Sequence, residues 1–114
     1  MLVTTTSTLE NKEIRDYLGI VSGEIGFNGP TFIKKFEGSR GNAAAKNVYW
    51  AQSLHEAKDM ALQEMILAAE KIGANAVVGV SCTFDSLGEG YDRVMVSYTG
   101  TAVKTVAKPL LETT

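Results

Sequence analysis

The chain has 114 residues, a formal net charge of -2 and 45% apolar residues, which describes one folded domain of ordinary composition. The basic residues are scattered and Lys34-Lys35 is the one basic doublet, so the charge pattern argues against nucleic acid, which needs clustered Lys and Arg. A domain of this size buries only about two-thirds of its unfolded surface, so assembly with other copies would add useful burial.

Cys82 is the one cysteine, which excludes an intrachain disulfide and fits a reducing cytoplasm. The first residues, MLVTTTSTLENKE, lack the basic and apolar regions of a signal peptide. No apolar run approaches the ~18 residues that span a bilayer, so no membrane partner is expected. Residues 1–114 are expected to form a single domain, with 108–114 a loose tail beyond regular structure.

Residues 2–6 (LVTTT) are β-branched and predict an edge strand or an extended arm. Residues 14–27 predict a strand partly covered on both faces and bent near Gly19 or Gly23. Asn28-Gly29-Pro30 marks a turn, and Phe32, Ile33 and Phe36 suit one helical turn packed on a sheet.

A long helix is expected from about Lys46 to Ile72. At about 100° per residue, Trp50, Leu54, Ala57, Ala61, Met65, Ala68 and Ile72 form one apolar stripe. Ala51, Leu62 and Ala69 widen it. Gly73 is placed to cap the C-terminus, and Lys71 complements the helix dipole. Met60 and Leu67 lie off the stripe on a second flank, with Lys58 near its edge. Single exposed apolar residues and a snorkelling lysine are common. The sharper reading is an oligomer interface through Lys58, Met60 and Leu67.

Residues 75–85 predict a strand with Ala76, Val78, Val80, Cys82 and Phe84 on one face. Residues 91–106 predict the last strand, with Val94, Val96, Tyr98 and Ala102 in phase. The short turn between them, Ser86 to Gly90, predicts an antiparallel hairpin. The expected architecture is α+β: a two-layer β-α-β-β core, antiparallel, with an extra N-terminal strand and one long helix on the sheet.

Chemistry-bearing groups are few. A structural zinc site needs about four ligands at close spacing. His55 and Cys82 are the single His and single Cys, and they are the weak candidates for a divalent metal. Cys82 on an apolar strand face reads first as a small buried hydrophobe. The glycine runs Gly23, Gly26, Gly29 and Gly38-Ser39-Arg40-Gly41 match neither a P-loop nor a dinucleotide fingerprint. Glu24, set among small and apolar residues, is the carboxylate with the best prospect of desolvation, although a solvent-facing strand position is the simpler reading. With Tyr17 and Tyr98 it forms the candidate ligand-binding set.

Several segments carry a family resemblance. Thr5-Thr6 before Ser7-Thr8-Leu9-Glu10, residues 17–24 (YLGIVSGE), residues 68–80 (AAEKIGANAVVGV) and residues 95–104 (MVSYTGTAVK) together resemble the YbjQ-like family. The resemblance runs from about Val3 to Val106. It implies one long helix on an antiparallel sheet and ring-shaped homo-pentamers. It also brings a heavy-metal-binding label, without established ligand or catalytic residues. The expected function is a non-enzymatic homo-oligomeric binding module with a metal or small molecule at a subunit interface. The alternatives are a small enzyme with an inter-subunit active site using Glu24, or a structural scaffold.

Overall fold

The computed structural model describes residues 1–28, 43–87 and 93–108. The strands are β1 (Leu2–Val3), β2 (Lys12–Asn28), β3 (Ala76–Leu87) and β4 (Arg93–Ala107). One helix, α1 (Ala43–Lys71), lies between β2 and β3 in the chain. The expected turn after Asn28, the helical turn at Phe32–Phe36, the hairpin turn at 88–90 and the tail at 109–114 lie outside the described residues.

The sheet runs β1-β3-β4-β2. β3 pairs antiparallel with β4, as the hairpin expectation required, and β2 pairs antiparallel with the other side of β4. The sheet is nevertheless mixed, because β1 pairs parallel with β3, Leu2 beside Ala76 and Val3 beside Val77. This corrects the expected all-antiparallel sheet. Residues beyond β1 continue the pairing through Thr4 N–H to Val77 O (3.0 Å), Val80 N–H to Thr4 O (3.1 Å) and Gly79 N–H to Thr6 O (2.8 Å). No hairpin joins β1 to β3, so no turn dictated their relative direction. The chain then reaches β2 on the far edge, and Leu9 and Ile14 pack on Ala76, Val78 and Val103.

Helix α1 crosses the other face, above β2 and β4. Ala57, Ala61, Met65 and Ala69 are buried, and Leu54, Leu62 and Ala68 are half-buried. Steps of four residues trace a ridge inclined to the helix axis. The contact line therefore ends on Ala69. Ile72, expected on the stripe, is 46% exposed and lies past the helix end. Gly73 (φ +85°) caps the helix: its N–H donates to Glu70 O (3.0 Å) and Ala74 N–H to Ala69 O (3.1 Å). This is the paired bonding of a left-handed glycine cap.

Close approach of helix to sheet depends on Gly23. A Cβ there would overlap the Ala61 carbonyl oxygen and come within 2.6 Å of Met65 N. The sequence offered Gly19 or Gly23 as the place of a bend, and Gly23 instead serves this contact with the helix. The bend is at Gly19 (φ +134°), beside the register shift between Tyr17 and Gly19.

Strand β3 departs from simple alternation. Between Val78 and Ser81 its register with β4 shifts, with Gly79 at φ +62°. The extra residue of a bulge inverts the faces. Val77, Val80 and Cys82 therefore pack under the helix, whereas Ala76 and Val78 point to the opposite face. The single face expected for Ala76, Val78, Val80, Cys82 and Phe84 is split at the bulge. In β4, which has no bulge, Val94, Val96 and Ala102 are buried in phase as expected.

Candidate interface groove and helix–sheet seam

The sheet places its functional prospects at its margins. Among the described residues β2 has a strand neighbour on one side only, along 17 residues. The far half of β3, beyond the stretch followed by residues 2–6, likewise pairs only with β4. An unpaired strand edge presents a row of free N–H and C=O groups that templates pairing with another chain.

Over the open β2 edge the flank of α1 overhangs the sheet. Ile25, Asp59, Met60, Gln63, Glu64 and Leu67 line a shallow groove of about 400 Å³. Met60 is 57% exposed and Leu67 56%. Both therefore sit where the sequence put them, on a second flank away from the core. Lys58 is half-buried. The groove combines an apolar floor with two carboxylates and an amide at its rim.

A polar seam runs from the groove under the helix. Tyr98 stands opposite Cys82 on β3 and Gly23 on β2. The phenol of Tyr98 and the thiol of Cys82 are thus cross-strand neighbours. Burial raises the Tyr98 pKa above the usual tyrosine value, reinforced by Cys82 and by the Asp59 carboxylate. The phenol is therefore neutral at physiological pH, a hydrogen-bonding group rather than a base. Asp59 also meets His55, Nε2 to Oδ2 3.6 Å, with both side chains largely exposed. That separation is too long for a hydrogen bond, and an exposed pair of this kind contributes little stability.

The candidate ligand-binding residues do not converge in one protomer. Glu24 alternates with the helix-facing Gly23 and Ile25, so it points away from the helix, and it is exposed. Tyr98 lies on the helix side, next to Met65 and Val96 in the core clusters. Tyr17 is 70% exposed beside Val103, near the other end of β2. Asp59, Gln63 and Glu64 were not legible as site residues. A helical wheel assigns them to the solvent side, and only the position of α1 over an open strand edge makes them a groove rim.

A resident metal would need several donor side chains held together. Among the described residues no group of three or more His, Cys, Asp or Glu side chains could hold an ion. His55 is exposed against Asp59, and Cys82 is half-buried against Tyr98. The described part of one chain therefore does not fit a metal centre. No helix among the described residues is long and apolar enough to cross a membrane.

Comparison with known proteins places this architecture. A family profile described as "Putative heavy-metal-binding", that of the YbjQ-like family, matches residues 1–106. A UPF0145 protein of Geobacillus kaustophilus is 41% identical over 105 residues, covering 91% of this chain and 97% of its own. A UPF0145 protein of Clostridium botulinum is 42% identical over 105 residues, covering 90% and 97%. A crystal structure from Pediococcus pentosaceus, a protein of unknown function assigned to the DUF74 family, superimposes with TM-score 0.64 at 14% identity. That alignment covers 93% of this chain and 98% of the other, and it shows a shared fold. With the profile spanning nearly the whole chain and relatives above 40% identity, the chain belongs to the YbjQ-like family.

Proposed function

We propose that this protein is a non-enzymatic homo-oligomeric binding module, a ring of five copies with its ligand at the subunit interfaces. The observation that carries this reading is the pair of strand edges left open among the described residues, one of them beside the exposed Met60 and Leu67. The shape of the protomer supports it. Its Cα radius of gyration is 19.0 Å, against about 13 Å for a compact chain of this length. An elongated protomer with a thin core gains the burial it lacks from neighbours. The single free thiol, Cys82, suits a reducing cytoplasm.

The ligand is a metal or a small molecule. Since the described residues of one protomer hold no ligand set, a metal would need donors from several copies, among which His55 and Asp59 are exposed enough to take part. The alternative, an inter-subunit active site using Glu24, needs a neighbour to cover that exposed carboxylate. Native mass spectrometry with elemental analysis of protein purified without chelators tests the ligand directly. The expected result is a bound species in fixed ratio to the chain. Bare polypeptide, with no metal and no retained metabolite, contradicts the binding reading.

A further inference from the structure

A heavy-metal description comes with the family, and the donors of this chain decide whether it applies here. We infer that it does not: the chain holds no resident heavy-metal ion, and the ligand of the proposed binding module is a small molecule. The second half rests on the module reading, whereas the first stands on the donors alone.

Zinc, copper and nickel are held by thiolate and imidazole, and a closed zinc centre needs about four ligands. The full chain has one Cys and one His, and the residues outside the described segments add neither. The two groups have unlike surroundings. Cys82 lies in β3 under α1, packed with Ala57, Ala61 and Val96, and its cross-strand neighbour is the Tyr98 phenol. Burial raises the Tyr98 pKa, so the phenol stays protonated and offers no anionic oxygen beside the thiol. His55 stands on the outer surface of α1, 78% exposed, with Asp59 one turn on at 3.6 Å. This i, i+4 pair gives an ion two exposed ligands and leaves its other positions to water. A structural metal centre has the opposite character, with a closed ligand set whose members are oriented by their own hydrogen bonds. Among the described residues no group of three His, Cys, Asp or Glu forms around either residue.

Further copies of the chain do not repair the set. Symmetry repeats Cys82 and His55 without adding another kind of soft donor, and each Cys82 stays beneath its own helix. What several copies can share is His55 with exposed carboxylates, the donors of a weak, water-rich surface site.

The test uses the full chain purified without chelators, incubated in turn with Zn²⁺, Cd²⁺ and Ni²⁺ and then desalted. Elemental analysis is expected to find no ion in fixed ratio to the chain, and the same traces in unaltered protein, His55→Ala and Cys82→Ser. Cadmium is expected to raise no thiolate charge-transfer absorption. No metal is expected to raise Tm, since a resident ion stabilises the folded state that binds it. An ion retained in fixed ratio by the unaltered chain overturns the inference, and so does a rise in Tm that His55→Ala or Cys82→Ser abolishes. Native mass spectrometry keeps the two readings apart. A retained organic molecule without metal supports both. Bare polypeptide removes the module, and the small molecule with it, but leaves the metal-free chain standing. A retained ion removes the metal-free chain and leaves the module.

Discussion

A methyl group at position 23 would run into the backbone of the helix, with Met65 N only 2.6 Å from the added carbon. Backbone cannot swing aside as a side chain can. Gly23→Ala is therefore expected to cost about 1–3 kcal/mol, the usual penalty of overpacking. Urea denaturation would show it as a lower midpoint at similar slope, and an unchanged midpoint would refute the close approach. Tyr98 offers a second residue-level check. Its pKa is raised from 10.0 by burial, then by Cys82 and Asp59. The unfolded chain thus loses this proton first. Stability from Tyr98 is complete below the ordinary tyrosine value, and it declines as pH rises through the higher folded value. Tyr98→Phe should flatten part of that alkaline decline. An identical pH profile in the variant would contradict the assignment. Neither role was legible from the sequence. Glycine signals permissiveness without saying whether it serves a bend or a contact, and a tyrosine pattern does not show which residues cover it.

At the scale of elements, the helix was the most legible and β3 the least. The 3.6-residue repeat of Ala57, Ala61 and Met65 survives because one face of α1 rests on one surface. The reading of β3 failed at a single residue. Alternation presumes an uninterrupted ladder, and Gly79 inserts one residue that sends Ala76 and Val78 to the face opposite Val80. Gly79→Ala, at φ +62°, is expected to cost about 1–2 kcal/mol by forcing a side chain into the left-handed region. The start of β3 is tied to β4 through Asn75. Its Oδ1 accepts from Thr105 N–H (2.8 Å) and Thr105 Oγ1 (3.1 Å), while its Nδ2 donates to Thr105 O (2.9 Å). Thr105 is buried, so Asn75→Ala leaves its hydroxyl and N–H without these acceptors. A loss of about 1–3 kcal/mol is expected in thermal or urea unfolding. The same Asn75 belongs to the GANAVVGV segment that carried the family resemblance, which gives one position in that motif a physical role.

At the scale of the molecule, the sequence exposed half of the candidate interface. Met60 and Leu67 stood out because an apolar residue off the helical stripe has no place in the protomer core. Their counterparts did not. Ile25 and the residues along the β3 edge are ordinary strand residues, and only the strand order β1-β3-β4-β2 shows that, among the described residues, β2 and half of β3 lie on open edges. Strand order depends on which strands meet after folding, and local patterning does not encode it. The candidate binding trio Tyr17, Glu24 and Tyr98 shared a β-sheet in the sequence reading, yet it divides between two faces in the structure. Any site using these residues together must draw on more than one copy.

Assembly is therefore the central claim, and sedimentation velocity at micromolar concentration tests it most directly. The account predicts one boundary at five times the 12.2 kDa protomer mass, unchanged on dilution across that range. A single boundary at the protomer mass would contradict it.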